Sequence, residues 1–299
     1  MSISLIGRLL CAAQQTYEIQ LSGIAPVSPA TPAPPPSTLV GWQGLVHCEV
    51  AGDDDTKISA ALVGETASEI IVAYRGTEPF DSPDHERMLL DWIDDLVDPL
   101  VTAPNIPGSI HQGFSHAVNE LWAWTLAQVQ GLTKGKPLYV TGHSKGGAMA
   151  NIGAMKFAAA GYQPYVCTFE AARSGDAAFA AGFAKAITHA VRYEFQDDIV
   201  PHVPPNASFL ALFNQLPGFD QALSTVVPSY VPVGDLHFIN WQNQVVADSV
   251  LLEAQRYAHM LALIAELNAK QIIDDHSIGP GSGVANVLCP GLWPAASTA

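Results

Sequence analysis

Ser144 stands in the run Gly142-His143-Ser144-Lys145-Gly146. A serine with a glycine two residues to either side can sit on a sharp bend between a strand and a helix, its hydroxyl lifted clear of the backbone to attack an acyl carbon. The flanks suit such a bend: the apolar run Leu138-Tyr139-Val140-Thr141 predicts a buried strand before it, and residues from Gly146 to about Ala160 predict an Ala-rich helix after it. Gly142 and Gly146 would be needed because strand and helix approach too closely for a Cβ. The bend would place the serine oxygen at the positive end of the helix dipole, with the N–H of Lys145 as one donor to a developing oxyanion. Alone, the five-residue pattern also fits a Gly-rich turn with a bystander serine.

A serine nucleophile needs a base, and the base needs an orienting acid; in this type of fold the chain order is Ser, then Asp or Glu, then His. Asp197 and Asp198 follow the predicted strand Val191–Phe195, so both are placed to serve as the acid. Four histidines come later: His202, His237, His259 and His276. His202 is tethered too closely to Asp198, and His259 falls inside a predicted helix. His237 lies in a strand-like run. His276 lies in a loop before Gly279-Pro280-Gly281 that suits a group reaching across to the serine.

The elements that must hold these residues read as alternating strands and helices. Strand-like runs occur at Leu45–Val50, Ile58–Val63, Glu69–Tyr74, Leu138–Thr141, Tyr165–Phe169 and Val191–Phe195. Helical spacing occurs around Ile6–Tyr17, over Gln112–Leu132, over Asp176–Ala190 and over roughly Val245–Ala269. This alternation predicts an α/β domain spanning 1–299, with a mainly parallel central sheet, helices on both faces and antiparallel pairing at one edge. The Pro-rich stretch Ile24–Thr38 reads as an extended surface strap. The acidic turn Asp53-Asp54-Asp55 reads as a hairpin loop.

Composition narrows the function classes. Asp and Glu number 28 against 13 Lys and Arg, a formal net charge of -15, which disfavours a nucleic-acid partner. Charged residues are only 14% of the chain and hydrophobic residues 48%, so it folds into a globular core rather than staying disordered. No apolar stretch is long enough to span a membrane. The N-terminus lacks the pattern of a signal peptide, because Arg8 and Gln14-Gln15 interrupt its apolar run. The chain therefore reads as soluble and cytoplasmic by default, with leaderless export or a lost leader left open. The four cysteines, Cys11, Cys48, Cys167 and Cys289, match no zinc spacing; Cys167 reads as a buried strand thiol.

Six runs in order carry a family resemblance: Val72-Ala73-Tyr74-Arg75-Gly76-Thr77, Asp91-Trp92-Ile93-Asp94-Asp95-Leu96, His111-Gln112-Gly113-Phe114, Gly142 to Ala148, Asp198-Ile199-Val200-Pro201-His202-Val203-Pro204, and Asp275-His276. Over roughly residues 45–280 the chain resembles the class 3, fungal-type lipases of the α/β-hydrolase fold. The resemblance implies a triad of Ser144, Asp198 and His276; on the residues alone His237 stays as the alternative base. It implies Thr77, through its N–H and hydroxyl, as the second oxyanion donor beside Lys145. It makes His143 a family feature with a structural role, counted with Trp92 and Phe213 among residues near the substrate. Lys145 stands where the family usually has an apolar residue, Glu170 where it has Gly, and Ala172 where it has Pro; these departures bear on substrate choice.

The family's lid would fall within 78–96. There Met88, Leu89, Trp92, Ile93 and Leu96 form a helical apolar stripe that fits either a lid or an ordinary core-facing helix. An apolar region within 206–230, from Phe209 to Phe219, reads as an insertion that caps the acyl site or packs as a small excursion. The implied activity is hydrolysis of fatty-acyl glycerol esters through an acyl-enzyme, at a lipid–water interface. A phospholipase A1 or a feruloyl-type esterase would share the chemistry, and a lipase-like binding protein without turnover would not need the triad. No cofactor or metal is implied, since the triad supplies the whole of the chemistry.

Overall fold

A computed structural model of the chain describes residues 4–18, 45–51, 57–77, 98–213, 229–266 and 268–290. Helix α1 (Leu5–Gln15) starts where the Ser4 hydroxyl accepts the Gly7 N–H, a side-chain cap for an otherwise orphaned amide. A 3₁₀ turn, Thr16–Glu18, continues it. Strands β1 (Leu45–Ala51), β2 (Lys57–Glu65) and β3 (Ile70–Tyr74) pair antiparallel in sequence. Next come β4 (Leu100–Ala103), β5 (Ile106–His111), α2 (Gln112–Gly131), β6 (Leu138–His143), α3 (Lys145–Ala159) and β7 (Tyr165–Phe169). The chain continues through β8 (Gly175–Asp176), α4 (Ala177–Ala186), β9 (Ala190–Phe195), α5 (Ala207–Phe213), β10 (Tyr230–Val231), β11 (Asp235–Ile239) and β12 (Val245–Ala247). It ends with α6 (Val250–Ala265), α7 (Ala269–Asp275) and α8 (Gly283–Leu288).

The main sheet runs β1-β2-β3-β6-β7-β9-β11-β12. Its centre, β3-β6-β7-β9-β11, is parallel throughout, and both edges are antiparallel. A smaller antiparallel sheet, β10-β8-β5-β4, lies outside it. Alternate residues of one strand point to opposite faces, so each central strand feeds two cores. Val72 and Tyr74 join α2, α3 and α4 through Phe114, Leu121, Met149, Phe157 and Phe179. Ile71 and Ala73 join α1 and α8 through Leu9, Leu10, Ala13, Val284 and Ala285. Helices thus cover both faces, and this is an α/β-hydrolase fold.

Two predicted helices are shorter than their spacing suggested. Asp176–Ala190 is helical only to Ala186, since Ile187 is already extended at the C-cap. The run from Val245 opens as β12 and becomes helix only at Val250. Val245 and Val246 are β-branched, and the open edge of β11 offers them a ladder, so sheet pairing overrides helical periodicity. The helix is then interrupted, and Asn268 caps α7 by accepting the Gln271 N–H. Cys11, Cys167 and Cys289 are buried free thiols. The strap 24–38, the turn 53–55 and the lid segment 78–96 with Trp92 lie outside the described residues, as do residues 214–228 of the insertion. Among the described residues, no helix is long and apolar enough to cross a membrane.

Candidate active site

β6 ends at His143 and α3 begins at Lys145, leaving Ser144 alone in the bend. Its φ is 59° and ψ −134°, a left-handed backbone that costs a non-glycine residue about 1 kcal/mol or more. The surroundings hold it there. The Ser144 N–H donates to the Phe169 carbonyl of β7 at 3.1 Å, and its own carbonyl accepts from Gly147 at 3.0 Å and Ala172 at 3.3 Å. A Cβ at Gly142 would run into the Gly146 carbonyl, and one at Gly146 into the Tyr74 carbonyl of β3. Both glycines are therefore steric requirements, for the reason the spacing implied. Lys145 is the first residue of α3, so its amide lies at the positive end of the helix dipole.

Thr77 follows β3 by way of the buried Arg75 and Gly76. The segment crosses the Ser144 bend closely: a Cβ at Gly76 would come within 3.1 Å of Ser144 Cβ. Thr77 and Ser144 line one cavity of about 730 Å³, together with Tyr17, His143 and His276. Val200, Ile273 and Ile278 give this cavity an apolar wall.

Asp198 is buried at 1% exposure in the loop after β9. Its Oδ1 accepts the Val200 N–H at 2.9 Å, and its Oδ2 accepts from His276 Nδ1 at 2.7 Å. Its neighbour Asp197, which chain order also admits as the acid, is engaged elsewhere. It is buried, and its Oδ2 accepts the Trp241 indole N–H at 2.9 Å. The Asp197 N–H donates to Asp275 Oδ2 at 3.2 Å, so the pairs 197–275 and 198–276 clip two distant loops together. Burial, more than the nearby Asp197 and Asp198 charges, pushes the Asp275 carboxyl up to about 7.

His276 caps the C-terminus of α7 instead of riding a free loop. Its carbonyl takes a 2.7 Å bond from His143 Nε2, and the Tyr17 hydroxyl lies 2.7 Å from His143 Nδ1. Burial, reinforced by the neighbouring His276, holds the His143 imidazole well below its usual pKa. A neutral ring has one N–H, and a carbonyl can only accept, so Nε2 carries the proton and Nδ1 accepts from Tyr17. His143 therefore braces the backbone of His276 and also borders the cavity. Tyr17 is absent from the sequence-level site: it belongs to an amphipathic face whose spacing signals packing alone, and nothing local marks its reach to residue 143.

The other histidines go elsewhere. His237 lies on β11, three strands from β6, with its ring against Tyr193. His202 is buried, stacks on Phe209, and accepts from Arg256 at 3.0 Å. His259 stacks on Trp241 with its side chain half exposed. Phe213 is the last residue of α5, and its side chain lies outside the described set, as does Trp92. Among the described residues, no group of His, Cys, Asp and Glu is arranged to hold a metal.

Residues 71–208 match the family model described as lipase (class 3). Over this stretch the chain is similar to the class 3 lipases. It is 28% identical over 230 residues to a lipase of Rhizomucor miehei, a match covering 72% of this chain and 57% of that protein. The chain thus spans a little over half the length of this curated relative. The solved triacylglyceride lipase of Rhizomucor miehei superposes with a TM-score of 0.50 at 25% identity, covering 67% of each chain. A Penicillium cyclopium protein, solved as a mutant form, superposes with a TM-score of 0.53 at 18% identity, over 82% of this chain and 80% of that one; at that identity the likeness concerns the fold alone. The class 3 match includes the Ser144 bend and Asp198, whereas Tyr17 and His276 lie beyond its ends.

Proposed function

We propose that this protein is a serine hydrolase that cleaves fatty-acyl glycerol esters at a lipid–water interface, with Ser144, Asp198 and His276 as its triad. The single observation that carries this reading is that His276, bonded to buried Asp198, lines the same cavity as the strained Ser144. Relatives named as lipases and the apolar wall of the cavity support the substrate class.

In the reaction, His276 Nε2 removes the Ser144 proton as Oγ attacks the ester carbon. The negative oxygen is received by the amides of Thr77 and Lys145 and by the Thr77 hydroxyl, while Asp198 steadies the imidazolium through Nδ1. Collapse breaks the ester C–O bond. His276 protonates the departing alcohol, and the acyl group remains on Ser144. Water, deprotonated by the same ring, then releases the carboxylic acid and restores the serine. The segment 78–96 acts as the lid and 206–230 as the cap of one α/β-hydrolase domain.

A series of p-nitrophenyl esters from two to eighteen carbons, with Ser144→Ala as control, tests the reading. Turnover that rises toward longer chains and vanishes in the variant supports it; equal rates in both proteins refute it. For the lid, Trp92→Ala should slow hydrolysis of an emulsified long-chain ester more than that of a soluble short one. Equal losses on both would remove the lid.

A further inference from the structure

Glu170, close to the triad, breaks several rules at once. It follows β7 directly, with φ at 49°, in the left-handed region that favours glycine. Its side chain is buried at 0% exposure. The Phe195 amide favours its charged form, but among the described residues no donor reaches full hydrogen-bonding geometry to either oxygen, and no cation lies in ion-pair range. Its N–H is fixed to the Tyr193 carbonyl of β9 at 2.9 Å, and the preceding Phe169 carbonyl receives the Ser144 N–H. Glu170 therefore sits between the nucleophile bend and the strand that delivers Asp198.

The groups that face it are acidic. Of the two, Asp198 opposes its charge more strongly, through its own charge and a side-chain hydrogen bond, and Glu194 less. Glu194 is already matched by Arg256 and by Arg192, the latter at 2.7 Å, and Asp198 by His276. Burial first, then these two neighbours, holds the Glu170 carboxyl well above the usual carboxylate range, which favours its protonated form, an acid with one O–H to give. Asp198 has accepted one bond on each oxygen, and a carboxylate has lone pairs for more. Buried polar groups without partners are rare in folded proteins, and positive φ outside glycine clusters where function demands it.

We infer that Glu170 is a positioning residue: its carboxylic acid donates a hydrogen bond to Asp198 and fixes the triad carboxylate against His276. This inference rests on the hydrolase reading above. Loss of the donor leaves Asp198 freer to turn from the imidazole, which slows proton transfer but leaves ester binding alone.

Glu170→Gln keeps the shape and supplies an amide N–H in place of the acid O–H. Glu170→Gly removes the donor and relieves the backbone. Wild type, E170Q and E170G are compared for kcat and KM on one p-nitrophenyl ester, for melting temperature, and for labelling of Ser144 by a fluorophosphonate. The inference expects E170G to lose about tenfold in kcat with little change in KM while melting no lower than wild type, and E170Q to stay within about threefold of wild type. A residue kept only for structure would instead show activity tracking stability. If wild type turns over ester and E170G equals it, or E170Q is as slow as E170G, the role of Glu170 is overturned and the hydrolase reading stands. A wild-type chain that neither labels nor turns over ester overturns both.

Discussion

The bend that carries Ser144 and the loops that carry Asp198 and His276 border the same cavity, yet different forces hold them. The bend is a matter of backbone and sterics. Two parallel strands and a helix close around it, glycines occupy the points where a Cβ would collide, and Ser144 is held by main-chain bonds. The loops are a matter of side chains. Asp198 to His276, Asp197 to Asp275, and Tyr17 through His143 to the His276 carbonyl join segments far apart in the chain. Geometry fixed by packing is rigid and tied to folding, whereas geometry fixed by buried polar bonds can be lost while the fold survives.

Substitutions on the two sides should therefore fail differently. On the polar side, Asp198→Ala should lower kcat by about 10³-fold or more, since the imidazole loses its orienting partner. Circular dichroism should still report a folded chain, and a protein that unfolds instead would erase the contrast. On the steric side, Gly146→Ala should cost about 3 kcal/mol of unfolding free energy, because the new methyl meets the backbone of β3, which cannot turn aside. Denaturant titration measures it, and a variant as stable as wild type would mean that the bend is looser than described.

Smaller effects sharpen the same line. Tyr17→Phe removes one bond to a neutral imidazole and should cost about 1 kcal/mol of stability, with a several-fold fall in kcat as His143 loosens its hold on His276. Unchanged kcat would show that this brace is idle. The least effect concerns pH. Asp275 has its carboxyl raised from 3.8 to about 7 in the folded chain, so between those values the folded state binds more protons than the unfolded one. Its contribution to stability therefore falls as pH rises through that window. Unfolding free energy measured from about pH 6 to 7 should decline less steeply in Asp275→Asn, by a difference of about 1 kcal/mol over the range. Parallel curves would remove Asp275 as the cause.

The same contrast explains what could be read in advance. The bend is local: an apolar strand, two glycines at fixed spacing and an Ala-rich helix lie within about twenty consecutive residues, and alternation of such units implies a parallel sheet. The proposed acid and base are not local. Chain order admits both Asp197 and Asp198 and leaves His237 beside His276; the resemblance points to Asp198 and His276, and the 2.7 Å bond between that pair exists only after folding. No spacing signals that Tyr17 reaches His143, or that Glu170, noted only as a departure from a family pattern, lies against Asp198. The strand at Val245 escaped for a different reason. Its residues suit either structure, and a hairpin back onto the preceding strand, β11, decides between them.

The central claim is that one hydroxyl, Ser144 Oγ, is made nucleophilic by its setting. Intact-mass measurement after treatment with a fluorophosphonate tests it most directly. The account predicts one adduct per wild-type chain, mapped to Ser144, absent from Ser144→Ala and slowed at least about a hundredfold in His276→Ala. A folded wild-type chain that takes no adduct, or a Ser144→Ala chain that takes one as fast, would contradict it.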